Sequence, residues 1–317
     1  MQLGLRLNAR LSLQTAAVLV AALCLGACDE DWNMGRGDRY REDFHFNYPL
    51  SAGGRLTVDN FNGSVEISGW DKDTVDITGT KYASTESRLH DIRIDVTPSS
   101  GLVAIRTSRP TGPHWGNAGA RYVIRVPRKA DLDGITSSNG SINVDFMDGR
   151  ARLRTSNGAI KARTLSGPLD AQTSNGSVDA TDITGDSVLR TSNGKITAEI
   201  RHGGLDAHTS NGSISVRLDE RDPKPVRLES SNGHIDLSMS AMREVRATTS
   251  NSSITVHLPG SAAADLRART SNSSVTTDFD VSVRGMLSKH SLEGRIGAGG
   301  PLLDLNTSNG AIRVLRQ

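Results

Sequence analysis

The tetrad "TSNG" recurs along the chain at an almost fixed interval, and that recurrence constrains the fold more than any other feature. The repeated Asn stands at Asn139, Asn157, Asn175, Asn193, Asn211, Asn232, Asn251, Asn272 and Asn309, with an early copy at Asn62. Four consecutive steps are eighteen residues, and later ones stretch to nineteen or twenty-one. A period near twenty belongs to a solenoid, in which each repeat buries its apolar face only against its neighbours.

The columns around the Asn predict which side chains face inward. Two places before it stands Thr or Ser; four and six places before stand Leu153 and Ala151, Ala171 and Leu169, Ala207 and Leu205. Strand side chains alternate, so these columns share one face. Large and small residues trade places between rungs, which lets stacked layers interdigitate. The same alternation turns the Asn inward. Beyond it the apolar columns fall three and five places on, at Ile160 and Ala162, Val178 and Ala180, Ile214 and Val216. That slip of one residue predicts a bend at Asn-Gly with positive φ. A buried, unpaired amide costs about 1–3 kcal/mol. Coils spaced by about 4.8 Å allow each amide to bond the next, so the Asn column predicts a structural ladder. A second corner follows at Gly149, Gly167, Gly185 and Gly203.

Two strands and two corners per repeat predict an all-β chain, a single-stranded parallel β-helix (β-solenoid) of about ten coils of 18–21 residues. Crossover chirality favours the right-handed form. The gap between Asn272 and Asn309 reads as a worn rung, "LEGRI", with Glu293 in the Asn place. The final strand, "AIRVLRQ", leaves little sequence to cover the last coil: either the "GAGGPLLD" turn at 297–304 and the worn rung close that end, or it is an open edge on which a partner strand, from another envelope protein or a second copy, would pair.

The N-terminus carries targeting chemistry. Arg6 and Arg10 precede an apolar stretch at 11–23, too short for a stop-transfer helix. It runs into "LGAC" at 25–28, which resembles the lipobox of bacterial lipoproteins. The resemblance implies cleavage before Cys28 and acylation of that residue. Cys24 and Cys28 are the two cysteines, so there is no disulfide framework. The expected organisation is a cleaved leader at 1–27, a polar tether at 28–50, an N-terminal β region capping the solenoid at 51–130, and the TSNG-repeat β-helix at 131–317. The expected location is the bacterial cell envelope, exported and held to a membrane by lipid.

With a net charge of +2 and both signs well mixed, nothing calls for nucleic acid as a partner. The sequence holds no P-loop, no HExxH, no CxxC pair and no nucleophile elbow, and it suggests no cofactor and no metal site. The most suggestive surface is the outward face of the first strand of each repeat, where Arg152, Arg154, Arg190, Arg227, Arg246, Arg267 and Arg269 stand among Asp170, Asp206, Glu229 and Asp304. It reads either as a solvated mixed-charge sheet or as a basic binding face for an anionic envelope polysaccharide.

"GGRLTVDNFNGSVEISGWD" (53–71), "YVIRVP" (122–127), the TSNG ladder and "GAGGPLLDLNTSNGAIRV" (297–314) together resemble the bacterial putative-adhesin domain family of unknown function, and are similar to auto-transporter adhesin head domains. The resemblance spans roughly 50–317. It implies a β-solenoid displayed in the envelope and supplies no catalytic residue. The expected function is a lipid-anchored, non-enzymatic structural or adhesion-type module. The alternative is a polysaccharide lyase or hydrolase on the same fold, with Asp170, Asp179, Asp182, Asp186 and Asp206 as acid/base candidates.

Overall fold

The computed structural model describes residues 39–109, 117–219, 224–283 and 288–317. The leader and Cys28 lie outside the described residues. Strands dominate, arranged as a 13-stranded sheet, here sheet A, and a 14-stranded sheet, here sheet B. Each repeat gives one strand to each. Ala151–Thr155 lies in sheet B, the chain turns at the TSNG corner, and Ile160–Leu165 lies in sheet A. Leu169–Gln172 then stacks in parallel on Ala151–Thr155, with Leu169 opposite Ala151 and Ala171 opposite Leu153. Val178–Thr184 stacks likewise on Ile160–Leu165. The fold is the expected β-solenoid. Setting aside two antiparallel strands of sheet A and three of sheet B leaves eleven coils among the described residues.

Between the sheets runs one continuous core. Its columns follow the apolar pattern of the sequence: Ala151, Leu153, Ile160, Ala162 and Leu165 in one coil, and Leu205, Ala207, Ile214, Val216 and Leu218 in another, are all buried. Aliphatic side chains fill every coil from Leu132 to Leu258, and among the described residues no ring enters that stretch of the core.

The two ends depart from the simple order. At the N-terminal end, Leu102–Ser108 pairs outside Arg55–Asn60, while Asp131–Ser137 pairs on its other side. The chain therefore builds its second coil outward and returns to continue the stack from the first. The region at 51–130, expected to be a cap, contributes two coils of its own, because "NFNG" at 60–63 turns the same corner. The strands that do cap this end are, in sheet A, Thr74–Ala83, antiparallel to Gly119–Pro127, and Tyr40–Pro49, antiparallel to Thr74–Ala83, and, in sheet B, Arg93–Ser99, antiparallel to Leu102–Ser108. The tether expected at 28–50 thus gives way to an edge strand at Tyr40, whose Phe44, Phe46 and Tyr48 alternate onto the end of the core. A short helix, Glu86–Asp91, starts on Thr85 and buries Leu89 in a small satellite cluster.

At the other end, Leu302–Thr307 and Ile312–Arg316 insert between a coil at 245–258 and a coil at 264–277. The final strand has a neighbour on each side, so of the two readings of this segment the open edge does not hold. Glu293 does not hold an Asn place either. Ser291–Ile296 runs antiparallel to Ala264–Thr270, and its partner Val281–Val283 completes a capping hairpin.

Candidate functional site

The TSNG corner is built from the Thr rather than the Asn. Thr191 is buried; its Oγ1 donates to the Gly176 carbonyl of the preceding coil at 2.9 Å and accepts from the Gly194 N–H at 3.1 Å. Thr155, Thr173, Thr209 and Ser230 repeat the pair of bonds. One hydroxyl, both donor and acceptor, thus satisfies two backbone groups that the bend would leave unpaired. In the early copy Asn60 takes this place, donating to the Gly63 and Ala120 carbonyls.

The Asn residues form the amide column, but on the outside. Asn157 Nδ2 donates to Asn139 Oδ1 at 2.7 Å, and the same link joins Asn175, Asn193, Asn211, Asn232, Asn251, Asn309 and Asn272 in stack order. All nine side chains sit on exposed residues, which corrects the inward placement. The reason is the position of the slip. The strand ends at Thr155; Ser156 turns outward as alternation requires, but Asn157 turns outward too, so alternation fails at the Asn itself. The corner Gly is also needed for a different reason from the one expected. None of Gly158, Gly176, Gly194 and Gly212 has positive φ. A Cβ on Gly194 would instead lie 1.8 Å from the Gly176 carbonyl oxygen.

On the outward face of sheet B, the Arg columns are neutralised within the sheet. Arg152 and Arg154 reach Asp170, at 3.9 and 3.4 Å, and Arg152 also reaches Asp133. Arg190 meets Asp206 at 2.9 Å and Arg246 meets Asp304 at 3.5 Å. Arg267 and Arg269 both bind Glu293. Arg227 meets Glu229 at 2.7 Å; hydrogen bonding to Arg227 holds the Glu229 carboxyl below its usual range, and the same bond raises the Arg227 guanidinium. The candidate basic face is a lattice of alternating signs.

The outward face of sheet A is less regular. Phe146, Thr164 and Asp182 occupy successive coils and all have positive φ, between 52° and 59°. For Phe and Thr this left-handed backbone is a genuine outlier. Each marks a bulge that re-aims a side chain outward, and Phe146 is 51% exposed. Gly69 of the neighbouring coil makes room for the Phe146 carbonyl, which would lie 1.9 Å from a Cβ there. The bulges end at Asp182, where Thr164 and Arg201 both bind its carboxylate.

Beside the first bulge lies a groove of about 240 Å³. Two cross-strand rows form it. In one, Val123, Glu66, Asn143 and Lys161 are successive register partners; in the other, Arg125, Ser68, Asp145 and Arg163. Among the described residues, no ion pair joins Lys161, Arg163, Glu66 or Asp145 to any partner, although Arg163 and Asp145 are in direct register. The Asn143 Oδ1 is enclosed and accepts no hydrogen bond. Val123, 49% exposed, supplies an apolar wall. Arg125 is turned away to Asp76 at 2.9 Å. Burial pushes the Asp76 carboxyl up, but hydrogen bonds from His45, Asn47 and Arg125 outweigh it and leave the group below the usual carboxylate range.

The acid/base candidates do not converge. Asp170 and Asp206 lie in sheet B, Asp179 and Asp182 in sheet A, and Asp186 lies at a corner with Lys224 at 2.8 Å. Among the described residues no three His, Cys, Asp or Glu side chains gather as a metal-binding group. Sequence reasoning missed the groove, yet a signal was present. The inward residue after the corner falls eight places past the Asn in three rungs (Met147, Leu165, Ile183) and seven in the next four (Ile200, Leu218, Met239, Leu258). That extra residue is the bulge.

Among solved structures, the chain is similar to a putative cell adhesion protein from Clostridium sporogenes (12% identity, 87% of this chain and 100% of that one, TM-score 0.23). It is also similar to putative adhesins from Parabacteroides merdae (10%, 87% and 96%, TM-score 0.33) and Bacteroides fragilis (11%, 87% and 97%, TM-score 0.28). Likeness at these scores carries no argument about activity. No curated protein matches the chain. The profile of Toastrack DUF4097 matches residues 54–315, which takes in every coil of the solenoid. The chain belongs to the Toastrack DUF4097 family.

Proposed function

We propose that the protein is a non-enzymatic structural or adhesion-type interaction module of the bacterial cell envelope, exported by its leader and held to a membrane by acyl chains on Cys28. One observation carries the non-enzymatic part. The interior is filled with aliphatic side chains and corner hydroxyls apart from Arg243, whose buried guanidinium donates to the Gly203 carbonyl at 3.0 Å, and the carboxylates weighed as catalysts lie outside the core. A glycosidase needs two carboxyl groups at a set separation around the scissile bond. Here Asp170 and Asp206 each face Arg within 3.4 Å rather than a second carboxylate. Repetition has built a surface. The anchoring part rests on the lipobox at 25–28, since stable attachment takes more than one acyl chain and lipoprotein processing supplies several.

Metabolic labelling with a palmitate analogue tests the anchor. The native chain is expected to label and to partition into detergent, and Cys28→Ala to do neither; label retained on Cys28→Ala overturns the anchoring. Incubation with polyuronate and neutral glycans tests the enzymatic alternative. Release of new chain ends, lost in Asp170→Asn, would establish that alternative and displace this proposal.

A further inference from the structure

We propose that the groove on the outer face of sheet A, centred on Asn143, binds one ring of an acidic glycan, with the sugar carboxylate over Lys161 and Arg163. The inference rests on the reading of the protein as an envelope interaction module and assigns that module a site and a ligand class.

The argument begins with charges that do not pair. On sheet B, opposite charges brought into neighbouring positions close into ion pairs, as Arg190 does with Asp206 at 2.9 Å. In the groove Arg163 and Asp145 are register partners in adjacent coils, yet form no ion pair, and the space between the two rows stays open at about 240 Å³. The bulge at Phe146 follows Asp145 directly and reroutes the strand there. Backbone held in a sparsely populated region costs about 1–3 kcal/mol, and such outliers cluster where a side chain must be aimed.

The groove is polarised across its strands. Both cations stand on Ile160–Leu165, while Asp145 stands on the adjacent strand and Glu66 on the one beyond it. A ligand that fits carries an anionic acceptor on one side and several donors on the other. A uronic acid ring has this distribution: a carboxylate for the ammonium and guanidinium, and hydroxyls that donate to Glu66 and Asp145. Ser68 and Asn143 form the short floor between the longer side chains. Val123 offers the exposed apolar surface against which the C–H face of a sugar rests. The volume is below the roughly 300–1,000 Å³ of pockets for drug-sized ligands. That suits a single ring in a chain that continues across the sheet.

The test is calorimetric titration of the full-length protein in detergent with an oligogalacturonate, a neutral galactan oligomer of equal length, and polyphosphate. Binding of the oligogalacturonate is expected, with the galactan at least tenfold weaker. Lys161→Glu/Arg163→Glu, both at exposed positions, is expected to weaken binding at least tenfold with the melting temperature unchanged. Arg227→Glu/Arg246→Glu on sheet B is expected to leave it unchanged. Equal affinity for the galactan removes the carboxylate from the proposal, and polyphosphate binding with the same residue dependence reduces the site to a generic polyanion patch; either overturns it. Loss of binding in the sheet B variant alone, or no binding to any probe, also overturns it. The envelope reading is judged apart from these outcomes, by acylation of Cys28.

Discussion

The capping strands at the N-terminal end and the coils between Leu132 and Leu258 seal one core with different side chains. At the end, Phe44 meets Phe46 at 5.9 Å and Tyr122 at 5.3 Å, and Phe46 stacks with Tyr48 at 6.5 Å. Tyr122 is fully buried, with its hydroxyl 2.6 Å from Thr107 Oγ1; burial raises its phenol well above the usual range, so it stays neutral. Among the described residues, the central coils contain no ring in the core. The difference teaches what a stacked layer can hold. Each coil owns a slab about 4.8 Å tall, which suits Leu, Ile, Val and Ala in alternation. A cap has no coil beyond it, so larger side chains lie across the open end. Accordingly the centre should be sensitive to added atoms, and the ends more tolerant of them.

The largest expected effect breaks the comparison most directly. Gly194→Ala forces a Cβ into the Gly176 carbonyl and should destabilise by more than about 3 kcal/mol, at the upper end of overpacking. Gly53→Ala, where φ is positive but the space is open, should cost only about 1–2 kcal/mol. Chemical denaturation compares the two; equal midpoints would mean that the coils slide apart cheaply.

Thr191→Val comes next, because it keeps the shape and leaves a carbonyl and an N–H unpaired at the corner. A loss of about 2 kcal/mol is expected, and a neutral result would show that water replaces the hydroxyl. At the N-terminal end, Asp76→Asn should cost about 1 kcal/mol at neutral pH, since its partners His45 and Arg125 are largely exposed. The folded carboxyl lies below its ordinary value, so its contribution is present above that value and fades as pH falls through the folded one. The variant and the native chain should therefore converge in stability in acid, and a pH-independent gap would point to packing instead.

Asn193→Ala is the smallest, about 0.5 kcal/mol, because its two amide bonds lie on the exposed edge of the corner. A loss as large as that of Thr191→Val would reverse the roles assigned to the two columns.

The coils were legible because their signal is local. Ala151, Leu153, Ile160 and Ala162 lie where alternation and period put them. Asn157 was misplaced because alternation holds only while the strand does, and the strand ends at Thr155. The amide column itself follows from the period alone, whichever way it faces. The order of the end coils was illegible for another reason. Near-identical repeats show that coils stack but not which stacks on which, so nothing in "LNTSNGAIRV" distinguishes a terminal coil from an inserted one. The groove was missed because its content is a failure of pairing. Lys161 and Asp145 look, as letters, like members of the same mixed-charge pattern as Arg190 and Asp206.

The inserted coil sets the order of assembly. Through most of the stack a corner amide finds its partner eighteen residues away, so growth is a run of short loop closures. Asn309 must reach Asn251 across 58 residues and then receive Asn272 across 37 on its other face. The coil at 264–277 therefore has no seat until a later segment has slipped in ahead of it. A zipper that closes tooth by tooth thus ends in a clasp, and the clasp fastens only after the last tooth has been threaded behind it. Folding of the segment from 264 to 317 should be the slow, non-local step, and its loss should fray two coils together rather than one.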